Sequence, residues 1–189
     1  MTETKDFLQI YDLESFLLDT VRPRFHEQGW LSAFDLFCII IWKANRAKSM
    51  IARNLVTRSN SDTLEESVRV LTAGIFQQTT SKDRLRYLFE EWKIRLPMAS
   101  AILTVLYPDE FTIYDKRVCD QLGNFHKLYN ISNFEKLWVG YLQFREAVAR
   151  TTPTGLSLRD RDRYLWGKSF TEQLEKDIAN NFARGNGDD

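Results

Sequence analysis

Cysteine, proline and glycine are all scarce in this sequence, and each scarcity narrows the class of protein. Among 189 residues there are two cysteines, four prolines and eight glycines. Two cysteines, Cys38 and Cys119, are too few for a disulfide framework or for a four-cysteine iron–sulfur cluster. Both lie among apolar residues, which predicts buried free thiols. The low glycine and proline content favours an all-helical protein.

Net charge, a long apolar run and a signal peptide are also missing. Lysine plus arginine number 26, the same as aspartate plus glutamate, so a basic surface for nucleic acid would have to be a local patch. The apolar run from Phe34 to Trp42 is too short to cross a membrane. The polar segment from Met1 to Asp6 does not have the pattern of a signal peptide. We therefore expect a cytoplasmic chain that makes no membrane contact.

Nothing in the sequence implies a metal or a cofactor. The two histidines, His26 and His126, fall in predicted surface loops without clustered carboxylates, and no glycine-rich nucleotide loop occurs. With 43% hydrophobic and 13% aromatic residues the chain can form a core. Its length suits one domain, or two small lobes, and we expect a monomer.

Apolar residues at helical spacing predict a series of helices. A short helical entry ends at Pro23, and the pairs Ser32–Asp35 and Ser132–Glu135 have the capping-box pattern. The last helix contains a run of alternating charges, 159–163, which we interpret as solvated. The later helices are expected at about residues 33–44, 47–56, 64–78, 83–92, 98–107, 116–122, 132–150 and 157–182. In the last of them, Leu158, Tyr164, Leu165 and Trp166 are expected to point inward.

The stretch from Asp83 to Gly123 organises the rest of the chain. It reads DRLRYLFEEWKIRLPMASAILTVLYPDEFTIYDKRVCDQLG. The pattern predicts a helix capped by Ser81, a tight connection at 93–96, and a small-residue helix that opens with Pro97. An extended segment, 111–114, then leads to Asp115 at a helix N-cap position.

This arrangement resembles the helix-hairpin-helix (HhH-GPD) DNA glycosylases of base-excision repair. In that superfamily a catalytic aspartate follows the hairpin alanine by sixteen residues, and counting from Ala99 reaches Asp115. The resemblance spans roughly 31–166 and is closest to an uncharacterised, divergent prokaryotic branch. The motifs that carry it are Leu96-Pro97-Met98-Ala99-Ser100-Ala101-Ile102-Leu103, Tyr107-Pro108, Asp115-x-Arg117, Trp42-Lys43-x-x-Arg46 and Asp162-Arg163-x-Leu165-Trp166.

The resemblance implies an all-α fold of two helical lobes with a cleft between them. One lobe would comprise residues 31–114, with the helix-hairpin-helix at about 83–107. The other would comprise 1–30 together with 115–189. Asp115 would then stand at the seam between the lobes as the catalytic residue, although a plain helix N-cap is the competing interpretation of this side chain.

The resemblance also implies a set of DNA contacts. Phosphate would be bound at the start of the hairpin helix and beside it, by Lys93, Arg95, Pro97, Met98, Ala99 and Arg117. Arg117 could instead pair with Asp120. The wedge and the base pocket would be formed by Trp42, Lys43, Asn45, Arg46 and Tyr114. Residues 36–61 carry five basic side chains and no acidic one, which favours a DNA-facing surface there. Within this set, Lys43 could contact a base, a phosphate or Asp115.

Two departures from the family pattern limit the mechanism. The hairpin Gly-x-Gly is Lys93-Ile94-Arg95 here, so phosphate binding would pass to side chains. The lysine that forms a Schiff base in bifunctional members falls on Pro97, which excludes a covalent lyase at that position.

The function expected from the resemblance is a monofunctional glycosylase that uses water to remove a damaged or modified base. A hypermodified base, as in viral DNA, is one candidate substrate, and phage defence is one candidate setting. A catalytically inactive DNA-binding module of the same fold and a helical protein-interaction adaptor are the alternatives.

Overall fold

Eleven α-helices joined by short turns make up the regular structure of residues 7–182, the part of the chain that the computed structural model describes. The helices are α1 (Phe7–Tyr11), α2 (Leu13–Phe16), α3 (Arg22–Gln28), α4 (Ala33–Ala44), α5 (Lys48–Ser59), α6 (Leu64–Gln77), α7 (Ser81–Arg86), α8 (Leu96–Leu106), α9 (Lys116–Leu122), α10 (Phe134–Thr151) and α11 (Leu158–Ala179). Single turns of π-helix occupy Leu17–Val21 and Tyr87–Glu91, and 3-10 turns occupy Asn45–Ala47 and His126–Asn130.

Polar side chains set the starts of several helices, as the sequence predicts. The Ser32 hydroxyl accepts a hydrogen bond from the Asp35 N–H at 3.1 Å and begins α4. Asp115 caps α9, whose bounds are those expected, and Gly123 ends that helix in the left-handed conformation. Ser157 caps α11 in the same way as Ser32 caps α4. The all-helical class is therefore confirmed for the described residues.

Two predicted caps are wrong by one residue. Thr80, not Ser81, caps α7, and Asn133, not Ser132, caps α10. In each case two adjacent polar residues could serve, and the cap is the one whose extended backbone lets its side chain reach the N–H three residues ahead. His26 is also misplaced, because Pro23 lies in the first turn of α3 rather than in a loop and His26 falls within that helix.

Helix α8 lies at the centre of the packing. Every residue from Met98 to Leu106 is buried, so the helix is enclosed on all sides. It contacts α3, α4 and α7, and α4 in turn contacts α5 and α6. The N-terminal helices are tied to α4 by an ion pair in which Arg24 Nη1 lies 3.0 Å from both oxygens of the buried Asp35.

The last two long helices pack beside one another, and α11 also packs along α9. One continuous group of buried apolar side chains runs from Phe16 in α2 to Leu165 in α11. Cys38 and Cys119 belong to it as buried thiols outside any disulfide, as predicted. In residues 7–182 no helix is both long and apolar enough to span a membrane.

The hairpin before α8 turns without glycine. Lys93 takes a positive φ of 53°, a left-handed conformation that strains a residue with a Cβ. The turn is supported by its neighbours: the Ile94 N–H donates to the Leu88 carbonyl at 2.9 Å, and the Asn54 amide donates to the Trp92 carbonyl at 2.7 Å. These bonds hold a backbone shape that glycine would adopt freely.

Replacing Lys93 by glycine should therefore raise the free energy of unfolding by about 0.5–1 kcal/mol, because the left-handed strain is removed. Chemical denaturation measures the change. Lys168→Gly is the matched control, since Lys168 lies within α11 and a glycine there should lower stability by about 1 kcal/mol. A loss of stability in both variants would contradict the strained-turn explanation.

Candidate functional site

A cavity of about 420 Å³ opens beside the start of α9. Its volume falls within the range of about 300–1,000 Å³ that is usual for small-molecule sites. Its walls come from α2, α4, α9, α11 and the extended segment before α9. The lining residues are Glu14, Trp42, Lys43, Ile113, Asp115, Val118, Arg159, Asp162, Arg163 and Trp166.

Asp115 serves as a helix cap and faces this cavity at the same time. Its Oδ1 accepts the Arg117 N–H at 2.9 Å, which begins α9. Its Oδ2 contacts the Lys43 ammonium, and the Asp115 side chain remains 24% exposed. The capping role and a role in the cavity are therefore compatible, because they use different oxygens.

Lys43 comes from the last turn of α4, seventy-two positions before Asp115. Of the three contacts considered for this lysine, the one observed is the ion pair with Asp115. Its side chain is only 14% exposed. Cations are favoured at helix C-termini, so the end of α4 helps to hold the charge there.

The extended segment that delivers Asp115 is fixed by side chains from three helices. The Thr112 N–H donates to the Tyr141 hydroxyl at 3.0 Å. The Ile113 N–H donates to Asp162 Oδ2 at 2.9 Å, and the Tyr114 N–H donates to Ser100 Oγ at 3.0 Å. Asp162 Oδ2 also accepts the Thr112 hydroxyl at 3.0 Å. Three consecutive backbone donors are thus satisfied without any neighbouring strand.

Tyr114 does not line the cavity, contrary to the prediction. Successive side chains of an extended segment point to opposite sides, so Ile113 and Asp115 face the cavity while Tyr114 faces the core. Its hydroxyl donates to the Phe125 carbonyl at 2.9 Å, and its ring packs edge-on against Phe144. Burial raises the pKa of the Tyr114 hydroxyl.

The charge run of α11 is only partly solvated. The prediction is wrong for Arg159 and Asp162, whereas Asp160 and Arg163 remain about half exposed. Arg159 is 8% exposed and Asp162 is 3% exposed, and they contact each other one turn apart. The inward face of the helix runs through Arg159, Asp162, Leu165 and Ser169. Leu165 is buried as expected, whereas Tyr164 and Trp166 remain nearly half exposed. A period of three to four residues counted back from Leu165 would have indicated this face.

Arg159 joins the far ends of the chain at the cavity. Its guanidinium contacts Asp162 and Glu14, the second of which is 145 positions away in α2. It also lies over the Trp42 ring, 5.4 Å from the centroid. Burial raises the pKa of the Asp162 carboxyl, and the Arg159 guanidinium and the Ile113 N–H oppose that rise. Glu14, Arg159 and Asp162 are the site residues that sequence reasoning missed.

The charged groups lining the cavity balance each other. Lys43 pairs with Asp115, and Arg159 pairs with both Asp162 and Glu14. Arg163 Nε lies 3.4 Å from Glu14 Oε1. Cys119, on α9, is buried, and burial raises the pKa of its thiol to about 11, so the thiol is protonated near neutral pH. Within residues 7–182 no group of three or more potential metal ligands is found.

The predicted phosphate contacts are only partly brought together. Lys93 and Arg95 share a second cavity of about 330 Å³ with Ser132. The N–H groups of Met98 and Ala99 both donate to the Arg95 carbonyl, at 3.0 and 2.9 Å, so they are already used within the helix. Pro97, in the first turn, has no N–H to offer.

Arg117 and the predicted wedge lie nearer the main cavity. Arg117 lies over the Trp166 and Phe170 rings. The alternative pairing of Arg117 with Asp120 is not observed, because Asp120 bonds to Lys116 and His126. Asn45 and Arg46 form the exposed turn directly after Lys43.

No protein-family model, curated protein or solved structure matches this chain.

Removing the Asp162 carboxylate should lower the free energy of unfolding by about 3–5 kcal/mol, because Asp162→Ala leaves Arg159 and two donors of the 112–113 segment without their acceptor. Urea denaturation measures this loss. The control is Asp177→Ala, because Asp177 is a partly exposed aspartate of the same helix whose carboxylate accepts the Gln173 amide; this change should alter stability by less than about 0.5 kcal/mol. Equal effects at the two positions would contradict the assigned role of Asp162.

Proposed function

We propose that this chain is a monofunctional DNA glycosylase, which hydrolyses the N-glycosidic bond of an extruded base and leaves an abasic site. The observation that carries the proposal is the position of Asp115. Its carboxylate lies at the wall of a cavity, fixed by a helix N-terminus on one oxygen and by Lys43 on the other. A carboxylate held in this way is the group that the reaction requires.

The reaction develops positive charge on the sugar as the base departs. A carboxylate near the anomeric carbon stabilises that charge and orients the attacking water. Lys43 keeps the carboxylate in one orientation through their direct contact. The cavity beside them, lined by the Trp42 ring among others, receives the base that has left the stack.

The two-lobed arrangement of the superfamily accounts for the composition of the cavity walls. Trp42, Lys43 and Ile113 belong to the proposed lobe 31–114. The remaining lining residues come from 1–30 and 115–189, the proposed second lobe. DNA would lie across this seam, with Asn45 and Arg46 as the wedge and with Lys93 and Arg95 on the phosphates.

The base removed is either a damaged base or a hypermodified base of the kind found in viral DNA. Excision assayed in parallel on damaged duplexes and on hypermodified genomic DNA distinguishes them.

A catalytically inactive DNA-binding module is the second candidate, and the hairpin favours it, because the Met98 and Ala99 N–H groups are used within the helix. Such a module would bind DNA with a steep salt dependence and release no base.

Asp115→Asn should reduce the formation of alkali-labile abasic sites by at least about 100-fold. Asparagine caps helices as well as aspartate does, but it leaves the largely buried Lys43 ammonium without its carboxylate, so the free energy of unfolding should fall by about 1–3 kcal/mol while the fold is kept. Abasic sites are measured as alkali-induced strand breaks, and folding is measured by thermal unfolding.

The matched control is Asp120→Asn, because Asp120 lies on the same helix but bonds to Lys116 and His126 instead of facing the cavity. This variant should excise bases at the wild-type rate. Undiminished breaks in Asp115→Asn would show that the carboxylate has no part in catalysis.

Reduction with sodium borohydride should trap no protein–DNA adduct, because the Lys43 amine is engaged with Asp115 and water is the nucleophile. Gel electrophoresis of the reduced mixture measures this. An adduct that forms with the wild type and with Lys48→Met, an exposed lysine of α5, but not with Lys43→Met, would instead identify an amine nucleophile.

A further inference from the structure

Glu14 is the cavity residue with an unused acceptor. Its Oε1 contacts Arg159 and lies 3.4 Å from Arg163 Nε, while its Oε2 has no hydrogen-bond partner among residues 7–182. The Glu14 side chain is 31% exposed, so a ligand in the cavity can reach it.

In the other two carboxylates of the cavity, each oxygen already has a protein partner. Asp115 uses Oδ1 for the Arg117 N–H and Oδ2 for Lys43. Asp162 uses Oδ1 for Arg159 and Oδ2 for the segment at 112–113. Among the cavity-lining carboxylates in the described part of the chain, Glu14 Oε2 is therefore the oxygen without a protein partner.

The Trp42 ring lies near Glu14, because the Arg159 side chain contacts both residues. The Arg159 guanidinium contacts Glu14 and also covers part of the Trp42 ring, so a single buried arginine holds both groups in place. Flipped bases are read by stacking on aromatic rings together with hydrogen bonds to their edges. Trp42 and Glu14 supply these two elements.

We infer that Glu14 is the specificity-determining residue of the cavity and that it selects a base carrying an exocyclic amino group. The carboxylate oxygen accepts hydrogen bonds only, so it attracts the N–H of an amino-substituted ring and repels a carbonyl oxygen in the same place. Cytosine-type and adenine-type bases offer such a donor, whereas uracil-type and hypoxanthine-type bases place a carbonyl there. This inference rests on the proposed function, in which an extruded base enters the cavity.

Binding of methylated free bases tests the inference without any excision. The probes are two matched pairs, 1-methylcytosine with 1-methyluracil and 9-methyladenine with 9-methylhypoxanthine. The members of each pair differ by an amino group against a carbonyl and, at the neighbouring ring nitrogen, by a bare nitrogen against an N–H. Titration of the whole protein is followed by NMR at the indole N–H of Trp42, assigned with Trp42→Phe. The amino member of a pair should bind at least about tenfold more tightly than the carbonyl member.

Glu14→Gln should reverse this preference. Arg159 and Arg163 only donate hydrogen bonds, so the glutamine carbonyl must face them and its NH₂ group takes the position of Oε2. A donor then meets the base and favours the carbonyl member. Glu27→Gln, an exposed glutamate of α3 outside the cavity, is the matched control and should keep the wild-type preference.

The wild-type comparison alone can overturn the inference, even if Glu14→Gln does not fold. Equal binding within each pair, a preference for the carbonyl member, or no shift at the Trp42 indole up to the solubility limit would each do so. A preference that survives in Glu14→Gln would also overturn it. The titration measures binding and breaks no bond. Its result can therefore be interpreted even if the excision experiment at Asp115 fails, and either proposal can fail without the other.

Discussion

Three consecutive N–H groups in an extended segment among helices must each find a partner, and the rest of the site depends on how they do so. A buried donor left unsatisfied costs about 1–3 kcal/mol, and in the part of the chain that the structure describes no strand lies alongside residues 112–114 to supply carbonyls. Tyr141, Asp162 and Ser100 provide the acceptors from three different helices. This arrangement fixes the direction in which the chain enters α9. The orientation of Asp115, and its meeting with Lys43, follow from that direction.

The ion pairs around the cavity act mainly through geometry. Buried ion pairs contribute little net stability compared with apolar groups of similar size, since the charges must be removed from water. The Arg159 guanidinium contacts Glu14 of α2 and Asp162 of its own helix, and these contacts hold α2 and α11 in one relative position. The paired charges also balance in number, since three basic and three acidic side chains line the cavity. A ligand would then be selected by individual hydrogen-bond donors and acceptors. The Glu14 oxygen without a protein partner is one such acceptor.

Local patterns were sufficient for most helices and for the Asp115 cap, because spacing and capping act within a few residues. The cap at Ser32 and the bounds of α9 are examples. The errors arose where a distant partner decides the outcome. The charges of α11 look solvated in isolation, and only Glu14, 145 positions away, together with the 112–113 segment, explains their burial. For Tyr114 a local signal did exist, since alternation along an extended segment places it opposite Asp115.

The long separation between Glu14 and Arg159 also has a consequence for how the protein is made. A ribosome adds residues in order at about 5–20 per second. Helices α1 to α10 leave it before Arg159 and Asp162, which close the floor of the cavity. Until those two side chains arrive, the segment before Asp115 lacks one of its acceptors and Glu14 lacks its guanidinium partner. The cavity therefore acquires its full set of lining residues only after α11 has been synthesised.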